Sequence, residues 1–422
     1  MYKKEVLDNG VRIITSCGKD RQSFALGIWL NVGSRFESPQ IWGISHFLEH
    51  LVFKGTKKYS CQQIKESIEG VGGSLNGFTS EEATCYLVKI PATYVDMAVD
   101  ILSDMVINPT VPAKEVEKER TVILEEIKMY KDLPQSYVHE LLDRLLWPGQ
   151  PLGMSVLGTN ETVSKINRDK LLGYKEEYYT PENIVISAAG RMDHKQFVKK
   201  INFRFGRLKK KKLNTAKPAL KSQKRPRTDL FDKNTEQTHL ALGFHGLKRD
   251  HPLKYGLGLL NIILGANSSS RLFNEIREKR GLAYEIGTNL KRLKDTGAFI
   301  VHAGVDNDKA TRTIALILEQ LQKTKDRLVE KDEFKRAKEF YFGQLMLSLE
   351  DTMDQMLWIG ESTLSLNRTF SVKDVIREVG RVKRGDLRDL SRLIFRQENI
   401  NLAVIGPVKD RQRQIQRLLK LR

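Results

Sequence analysis

The sequence predicts an α+β fold of two homologous domains, each an α/β sandwich with a mostly antiparallel or mixed sheet backed by helices. Three observations lead to this prediction. The chain has 422 residues, more than one hydrophobic core usually fills. In each half, strand-like runs alternate with longer stretches of helical periodicity. Segments of the first half also recur in the second half in the same order.

The recurrence is visible in individual segments. Residues 25–29 recur as 241–245, and residues 182–190 recur as 398–406, both at an offset of 216. The start of a long charged helix recurs at an offset of 218. Matches in order at a nearly constant offset indicate an internal duplication.

Hydrophobic periodicity predicts the first elements of the chain. Alternating or continuous apolar residues predict strands over 24–32 and 83–90, and a period near 3.6 predicts helices over 94–107 and 114–130. Strands and helices therefore alternate, which indicates an α/β unit in which helices back a sheet.

A basic segment separates the two halves. Residues 207–227 carry ten basic and no acidic residues in 21 positions, with prolines at 218 and 226. We interpret them as a solvated linker between domains at 1–206 and 228–422. A polyanion-binding strip is the alternative. The segment contains no aromatic residue that could stack on bases, so nucleic acid is not expected as a partner.

Composition predicts a cytoplasmic protein. Charged residues make up 29% of the chain, and no window of eighteen residues is uniformly apolar, so no membrane span is expected. The N-terminus shows no apolar region typical of a signal peptide. The three cysteines, Cys17, Cys61 and Cys85, lack Cys-x-x-Cys spacing, which favours a reducing compartment.

The motif that carries chemistry is His-x-x-Glu-His at residues 46–50. On a helix, His46 and His50 share one face and can both bind one tetrahedral zinc ion. Glu49 lies beside them, where its carboxylate can take a proton from a zinc-bound water. Chance predicts roughly 0.02 such motifs in this composition. Ser45 either caps this helix or lies inside it.

A catalytic zinc site needs a third protein ligand. The helix predicted over 114–130 offers Glu119, Glu125 and Glu126, and its apolar residues at 116, 122, 123 and 127 predict the inward face. Periodicity alone does not separate these three carboxylates. For any single one, the alternative is a solvated helix carboxylate.

These residues resemble the M16 or pitrilysin family of inverzincin metallopeptidases, in particular its processing-peptidase-like members of similar length. The resemblance extends over nearly the whole chain. It implies a zinc-dependent endopeptidase with one Zn²⁺ per chain, held by His46, His50 and Glu126. It also implies that Glu49 is the general base and that Glu119 supports the site from outside the ligand set.

The resemblance also implies substrate contacts. Arg277 and Tyr284 match an arginine and a tyrosine that approach the substrate from the non-catalytic domain, across a cleft between the two domains. Without the resemblance, a salt bridge within a helix is the preferred role of Arg277. Asn76 lies in a Gly-rich segment that matches the substrate-receiving edge strand, and a hairpin turn is its alternative.

The duplicated half has lost the metal ligands. At the repeat offset His46, Glu49, His50 and Glu126 correspond to residues 262, 265, 266 and 344, none of which is His or Glu. The resemblance implies a dimer that encloses peptides or unfolded polypeptides: a homodimer, with a heterodimer with a related chain left open. A non-catalytic structural subunit of the same fold is the rival interpretation, although such chains tend to have an eroded motif.

Overall fold

The computed structural model describes residues 2–211 and 215–421, which form two compact units. The first unit comprises Met1–Ile127, Ser155–Lys217 and Leu345–Val372, and the second comprises Lys128–Met154, Pro218–Gln344 and Lys373–Arg422. Each unit contains one β-sheet with helices packed against it, which confirms the predicted α+β class.

The strands of the described residues are, in chain order, β1 (Tyr2–Val6), β2 (Arg12–Cys17), β3 (Ser23–Leu30), β4 (Ser74–Thr79), β5 (Thr84–Pro91), β6 (Ile184–Gly190), β7 (Arg227–Asp232), β8 (Gln237–His245), β9 (Ala283–Arg292), β10 (Gly297–Asp306) and β11 (Asn401–Gly406). The α-helices are α1 (Ile44–Val52), α2 (Cys61–Glu69), α3 (Val95–Ile107), α4 (Ala113–Asp132), α5 (Pro134–Leu146), α6 (Asn160–Lys165), α7 (Arg168–Tyr178), α8 (His194–Phe205), α9 (Lys254–Leu264), α10 (Ala310–Asp326), α11 (Lys331–Ser348), α12 (Thr352–Leu366), α13 (Val372–Arg381), α14 (Arg384–Ile394) and α15 (Gln412–Leu418). A π-helical turn spans Phe273–Glu278.

Both sheets are mixed, and their strand orders correspond. The first sheet has the order β1-β2-β6-β3-β5-β4, in which only β2 and β6 pair in parallel. The second has the order β7-β11-β8-β10-β9, in which only β7 and β11 pair in parallel. If β1 is left out, the strand order of the first sheet is the same as that of the second sheet, with each strand matched by its counterpart in the repeat. A duplicated sequence that buries the same apolar faces is expected to produce this correspondence.

The compact units do not follow the continuous domains at 1–206 and 228–422, because two helices are exchanged. Helix α12, from the second half of the sequence, packs on strands β3 and β6 of the first sheet, so closely that a Cβ on Gly27 would lie 2.5 Å from Sδ of Met356. Helix α5, from the first half, packs on β8 and β11, with Leu142 against Gly243. Each sheet therefore buries one face under a helix from the other half of the chain.

Part of the basic segment at 207–227 is held in place by hydrogen bonds. Within the second unit, the Ala219 amide donates to Asp295 and the Leu220 amide donates to Gln150. Most side chains between 215 and 225 are exposed, as expected for a solvated segment. Residues 212–214 of the predicted linker lie outside the described residues. Across the described chain, no helix combines the length and the apolar character needed to cross a bilayer.

Candidate metal centre

Helix α1 holds the His-x-x-Glu-His motif in a buried environment. Its apolar face packs into the core of the first unit through Ile44, Phe47, Leu48, Leu51 and Val52. The helix is short, so its orientation depends on this packing more than on helix propensity. With one face fixed in the core, the side chains at 46, 49 and 50 are directed to one region beside it.

A buried carboxylate holds the N-terminus of α1. Oε2 of Glu37 accepts a hydrogen bond from the Gly43 amide at 2.7 Å, and Oε1 accepts one from the Ser45 amide at 2.8 Å. A negative charge at a helix N-terminus satisfies amides that have no partner in the helix. Burial raises the pKa of Glu37 to about 7, although these hydrogen bonds oppose the rise. The sequence prediction missed this anchor.

Ser45 lies inside α1, which resolves the two alternatives left open for it. The N-cap position is Gly43, whose φ of 93° suits glycine, and a Cβ there would meet the Leu157 carbonyl oxygen at 2.5 Å. The buried Ser45 hydroxyl lies 2.7 Å from the Tyr174 hydroxyl on helix α7. Glu37 and Tyr174 therefore fix the first turn of the motif helix from two directions.

The structure brings His46, His50 and Glu126 together. Oε2 of Glu126 lies 3.9 Å from Nε2 of His46 and 3.8 Å from Nε2 of His50. One potential ligand atom from each residue lies within 4.8 Å of the others, and the described residues contain no other such group of three or more. Ligands of a tetrahedral zinc ion at about 2.0–2.1 Å are roughly 3.3 Å apart, so the two separations from Glu126 exceed that spacing by about half an ångström.

The electrostatics of the three residues fit a cation. Burial and the neighbouring His50 lower the pKa of His46 to about 3, so its imidazole is neutral at neutral pH and offers a lone pair. Oε2 of Glu126 is buried and has no hydrogen-bond partner, which is costly for a carboxylate oxygen. The neutral imidazole of His46, the imidazole of His50 and the Glu126 oxygen without a hydrogen-bond partner match the donor set of a catalytic zinc site.

Glu49 lies beside this group but outside it. Its side chain is buried, and Oε2 accepts a hydrogen bond from the Thr79 hydroxyl at 3.1 Å. A Cβ on Gly77 would lie 3.0 Å from Oε1, so strand β4 passes close to the carboxylate. Burial raises the pKa of Glu49. A buried carboxylate with a raised pKa has the properties of a general base that receives and returns a proton.

Glu119 contacts His50 on the ring nitrogen that does not face Glu126. Its Oε2 lies 3.0 Å from Nδ1 of His50, and its Oε1 lies 2.6 Å from Nζ of Lys54. Burial alone would raise the pKa of Glu119, but the hydrogen bonds from Lys54 and His50 lower it below its ordinary value. Glu119 is thus a charged acceptor for the N–H of His50. The sequence prediction did not include Lys54.

The structure distinguishes the three carboxylates of helix α4 that periodicity alone did not separate as candidate ligands. Glu119 is buried, Glu126 is partly buried against the histidines, and Glu125 is exposed. The predicted apolar face is wrong at Val122, which is 44% exposed. The buried stripe runs through 116, 119, 123 and 127, so Glu119 occupies the position expected for an apolar residue.

The second unit carries the predicted pair Arg277 and Tyr284. The Arg277 guanidinium lies 4.8 Å from the ring centroid of Phe273 and 5.8 Å from that of Tyr284. Tyr284 is 75% exposed. These ring contacts, rather than a helix salt bridge, hold the arginine, and they leave the tyrosine ring open to solvent.

Asn76 lies in strand β4, at the edge of the first sheet, rather than in a turn. Its side chain is exposed, and its Oδ1 accepts a hydrogen bond from the Gly77 amide at 2.8 Å. The hairpin turn between β4 and β5 follows at 80–83. Strand β4 pairs with β5 on one side, which leaves its other side as the edge of the sheet.

Comparisons with known proteins identify related sequences and structures. Residues 12–160 match the family described as insulinase (peptidase family M16), and residues 165–341 match the peptidase M16 inactive domain. The chain is 39% identical to a Bacillus subtilis protein named uncharacterized zinc protease YmxG, over 96% of this chain and 98% of that protein. It is 36% identical to a Streptomyces coelicolor protein also named an uncharacterized zinc protease, over 97% of this chain and 90% of that one.

Two solved structures have the same fold. A protease from Helicobacter pylori superposes with a TM-score of 0.89 at 21% identity, covering 96% of this chain and 99% of that one. A Pseudomonas fluorescens structure titled a peptidase M16 inactive domain superposes with a TM-score of 0.88 at 17% identity, covering 96% of this chain and 98% of that one.

Proposed function

The chain belongs to the M16 family of peptidases, and on that premise we propose that it is a zinc-dependent endopeptidase that cleaves peptides or unfolded polypeptide segments. One observation carries the proposal. His46, His50 and Glu126 place three ligand atoms within 4.8 Å of one another, beside a fourth residue, Glu49, whose carboxylate stays out of the group. A structural zinc site is normally closed by four protein ligands, whereas a catalytic site uses three and leaves one position open.

His46, His50 and Glu126 would hold one zinc ion per chain. Zinc in such a site supplies a Lewis acid that lowers the pKa of a bound water and polarises the scissile carbonyl. The corresponding residues in the second half of the chain are Ile262, Gly265, Ala266 and Gln344, which offer no imidazole or carboxylate. A stoichiometry of one ion per chain follows from this difference.

Glu49 is the proposed general base. Its carboxylate takes a proton from the attacking water as the water oxygen bonds to the scissile carbonyl carbon. It then delivers that proton to the amide nitrogen as the carbon–nitrogen bond breaks. Burial and the raised pKa favour this two-way transfer, because the protonated form of Glu49 is not strongly disfavoured. Thr79 holds one oxygen of the carboxylate in place.

The substrate is proposed to add to the first sheet as an extended strand. The free edge of β4 can form main-chain hydrogen bonds that depend little on side-chain identity, with Asn76 as an exposed side-chain contact. Arg277 and Tyr284 are proposed to donate hydrogen bonds to a substrate carbonyl oxygen as it gains negative charge. Folded proteins do not present such extended segments, so unfolded polypeptides are the proposed substrate class.

A homodimer is the proposed assembly. The motif at 46–50 and the pair Arg277 and Tyr284 are all present in one sequence, so two copies of this chain suffice. A heterodimer with a related chain is the alternative, and the identity of the chains in the purified dimer distinguishes them. A second protein that co-purifies in equal amount would contradict the homodimer.

The test of the proposed function compares wild-type protein with Glu49→Gln. We expect about one zinc per chain in both proteins by elemental analysis, because Glu49 is not a ligand. Cleavage of an unfolded fluorogenic polypeptide is expected for the wild type alone, since the glutamine amide does not accept the proton. Equal cleavage by both proteins would reject Glu49 as the base. Wild-type protein without zinc or cleavage would reject the peptidase assignment.

A further inference from the structure

Glu119 lies between two nitrogen groups that both come from the motif helix and the residues just after it. One carboxylate oxygen lies 3.0 Å from Nδ1 of His50, and the other lies 2.6 Å from Nζ of Lys54. Lys54 follows His50 by four residues and lies just beyond the end of α1 at Val52. The Lys54 side chain is only 23% exposed and that of Glu119 only 9%.

The two contacts have different consequences for the carboxylate. A buried carboxylate needs partners for both oxygens, and a carboxylate with one partner is free to rotate toward other donors. The Lys54 ammonium binds Oε1 and leaves Oε2 directed at His50. In that position Oε2 requires the His50 proton on Nδ1, because a carboxylate can only accept. Nε2 of His50 then carries the lone pair on the side of Glu126, 3.8 Å away.

We propose that Lys54 is a positioning residue for the metal ligand His50 and acts through Glu119. Its ammonium holds the Glu119 carboxylate in the one orientation that fixes both the tautomer and the ring angle of the imidazole. This inference rests on the proposed zinc site and adds to it a second residue behind the ligand. Lys54 itself touches neither the ion nor the substrate.

The expected loss of zinc affinity depends on how directly each residue contacts His50: Glu119 contacts it, and the Lys54 ammonium contacts Glu119. Outer partners of a ligating histidine typically change metal affinity by about 10–100-fold when they are removed. Glu119→Gln is expected to weaken zinc binding by a factor within that range, since it removes the charged acceptor of the His50 N–H. Lys54→Met is expected to weaken zinc binding by about tenfold, because Glu119 keeps its charge but loses its fixed orientation.

A purely structural role for Lys54 is the competing explanation. The ion pair also connects the end of α1 to α4, and its loss would lower stability whether or not His50 is affected. The two explanations differ in the zinc affinity of the folded protein, which a purely structural role leaves unchanged, and a double-mutant cycle then tests whether the effect on affinity passes through Glu119. If Lys54 acts through Glu119, its replacement has little further effect once Glu119 is glutamine. If it acts independently, the two losses multiply.

The experiment measures the Kd for zinc of the full-length protein by competition with a chromogenic chelator. The variants are Lys54→Met, Glu119→Gln, the double variant and Lys54→Arg, with Lys57→Met as a matched control on an exposed lysine. Circular dichroism of each metal-free protein establishes that it is folded. If Lys54→Met does not fold, Lys54→Gln takes its place in the cycle.

We expect Lys54→Met to bind zinc about tenfold more weakly than the wild type, the double variant to match Glu119→Gln, and Lys54→Arg and Lys57→Met to stay within about threefold of the wild type. A Kd for Lys54→Met within twofold of the wild type overturns the inference, as does a full tenfold loss in the Glu119→Gln background. A wild-type protein that binds no zinc is a different outcome. It rejects the proposed function and, with it, the site that Lys54 supports.

Discussion

The Thr79 hydroxyl donates a hydrogen bond to Oε2 of Glu49 across 3.1 Å, from the end of strand β4 to helix α1. This contact connects the edge strand proposed to receive substrate with the proposed general base. Because the two residues are thirty positions apart in the sequence, the contact depends on how α1 packs against the first sheet. It leaves the other oxygen, Oε1, close to Gly77.

Replacement of Thr79 by valine is expected to lower kcat by about tenfold, because the base loses a donor that orients its carboxylate. Zinc content is expected to stay at about one per chain, since Thr79 contacts no ligand. Thr79→Ser, which retains the hydroxyl, is the control and is expected to keep most of the activity. Steady-state cleavage of a fluorogenic polypeptide measures both. Equal activity of the valine and wild-type proteins would show that the hydrogen bond has no role in catalysis.

The neighbouring carboxylates Glu125 and Glu126 form a matched pair for the metal assignment. Glu126→Gln is expected to lose zinc and activity, because the amide replaces the carboxylate oxygen that faces both histidines. Glu125→Gln, on the exposed side of the same helix, is expected to behave like the wild type. Zinc analysis after gel filtration distinguishes them. Zinc retention by Glu126→Gln, or loss from Glu125→Gln, contradicts the assignment.

Metal removal is expected to abolish wild-type activity, and zinc is expected to restore it. The buried core that positions α1 contains none of the three proposed ligands, so the core is expected to persist without the metal and the ligands to reassemble when zinc returns. Dialysis against a chelator, followed by titration with ZnCl₂ and measurement of peptide cleavage, checks this. Full activity after exhaustive removal of zinc would exclude metal-dependent hydrolysis.

Glu37 is expected to make stability depend on pH. Burial raises its folded-state pKa from 4.5 to about 7, so its contribution to stability is complete below pH 4.5 and is lost as the pH rises through 7. The shift corresponds to about 3 kcal/mol. Relative to Glu37→Gln, the wild type is therefore expected to become less stable by roughly that amount between pH 4.5 and pH 8.

Urea unfolding of the metal-free proteins at several pH values measures this difference. Glu69→Gln, an exposed carboxyl on helix α2, is the control and is expected to run parallel to the wild type at every pH. A constant difference between the wild type and Glu37→Gln across this range would show that Glu37 titrates normally.

Replacement of two helical glycines by alanine is expected to change the stability of the folded protein in opposite directions. A Cβ on Gly360 of α12 would collide with the Trp29 indole on the first sheet, so Gly360→Ala is expected to destabilise by about 1–3 kcal/mol. At Gly343 of α11, apart from the adjoining residues and the backbone of the same helix, no heavy atom of the described residues lies within 4 Å of an added Cβ. Gly343→Ala is therefore expected to stabilise by about 0.5–1 kcal/mol. Shifts in Tm of opposite sign support the exchange of α12, and a neutral Gly360→Ala contradicts the close packing.

The sequence predicted the chemistry of the motif helix because that chemistry depends on local geometry. Residues 46, 49 and 50 meet on one side of any α-helix, whatever surrounds it. The third metal ligand, a carboxylate far away in the sequence, could not be identified in this way. Helical periodicity places Glu119, Glu125 and Glu126 only relative to their own helix, and the resemblance to a family, rather than the spacing, selected Glu126. The same limit explains the wrong prediction at Val122, since Glu119 is buried in its place, in contact with His50 of α1 and with Lys54 just after it.

The sequence by itself determined the duplication, the mixed α+β class and the motif on α1, because repeats and residue spacing are encoded along the chain. Only the tertiary structure decided which helix covers which sheet, and which side chains stand behind the metal site. The exchange of α5 and α12, and the contacts of Glu37, Thr79 and Lys54, all join segments whose meeting depends on long-range packing. Such contacts are set by the burial of apolar faces and of charged groups, which no local periodicity describes.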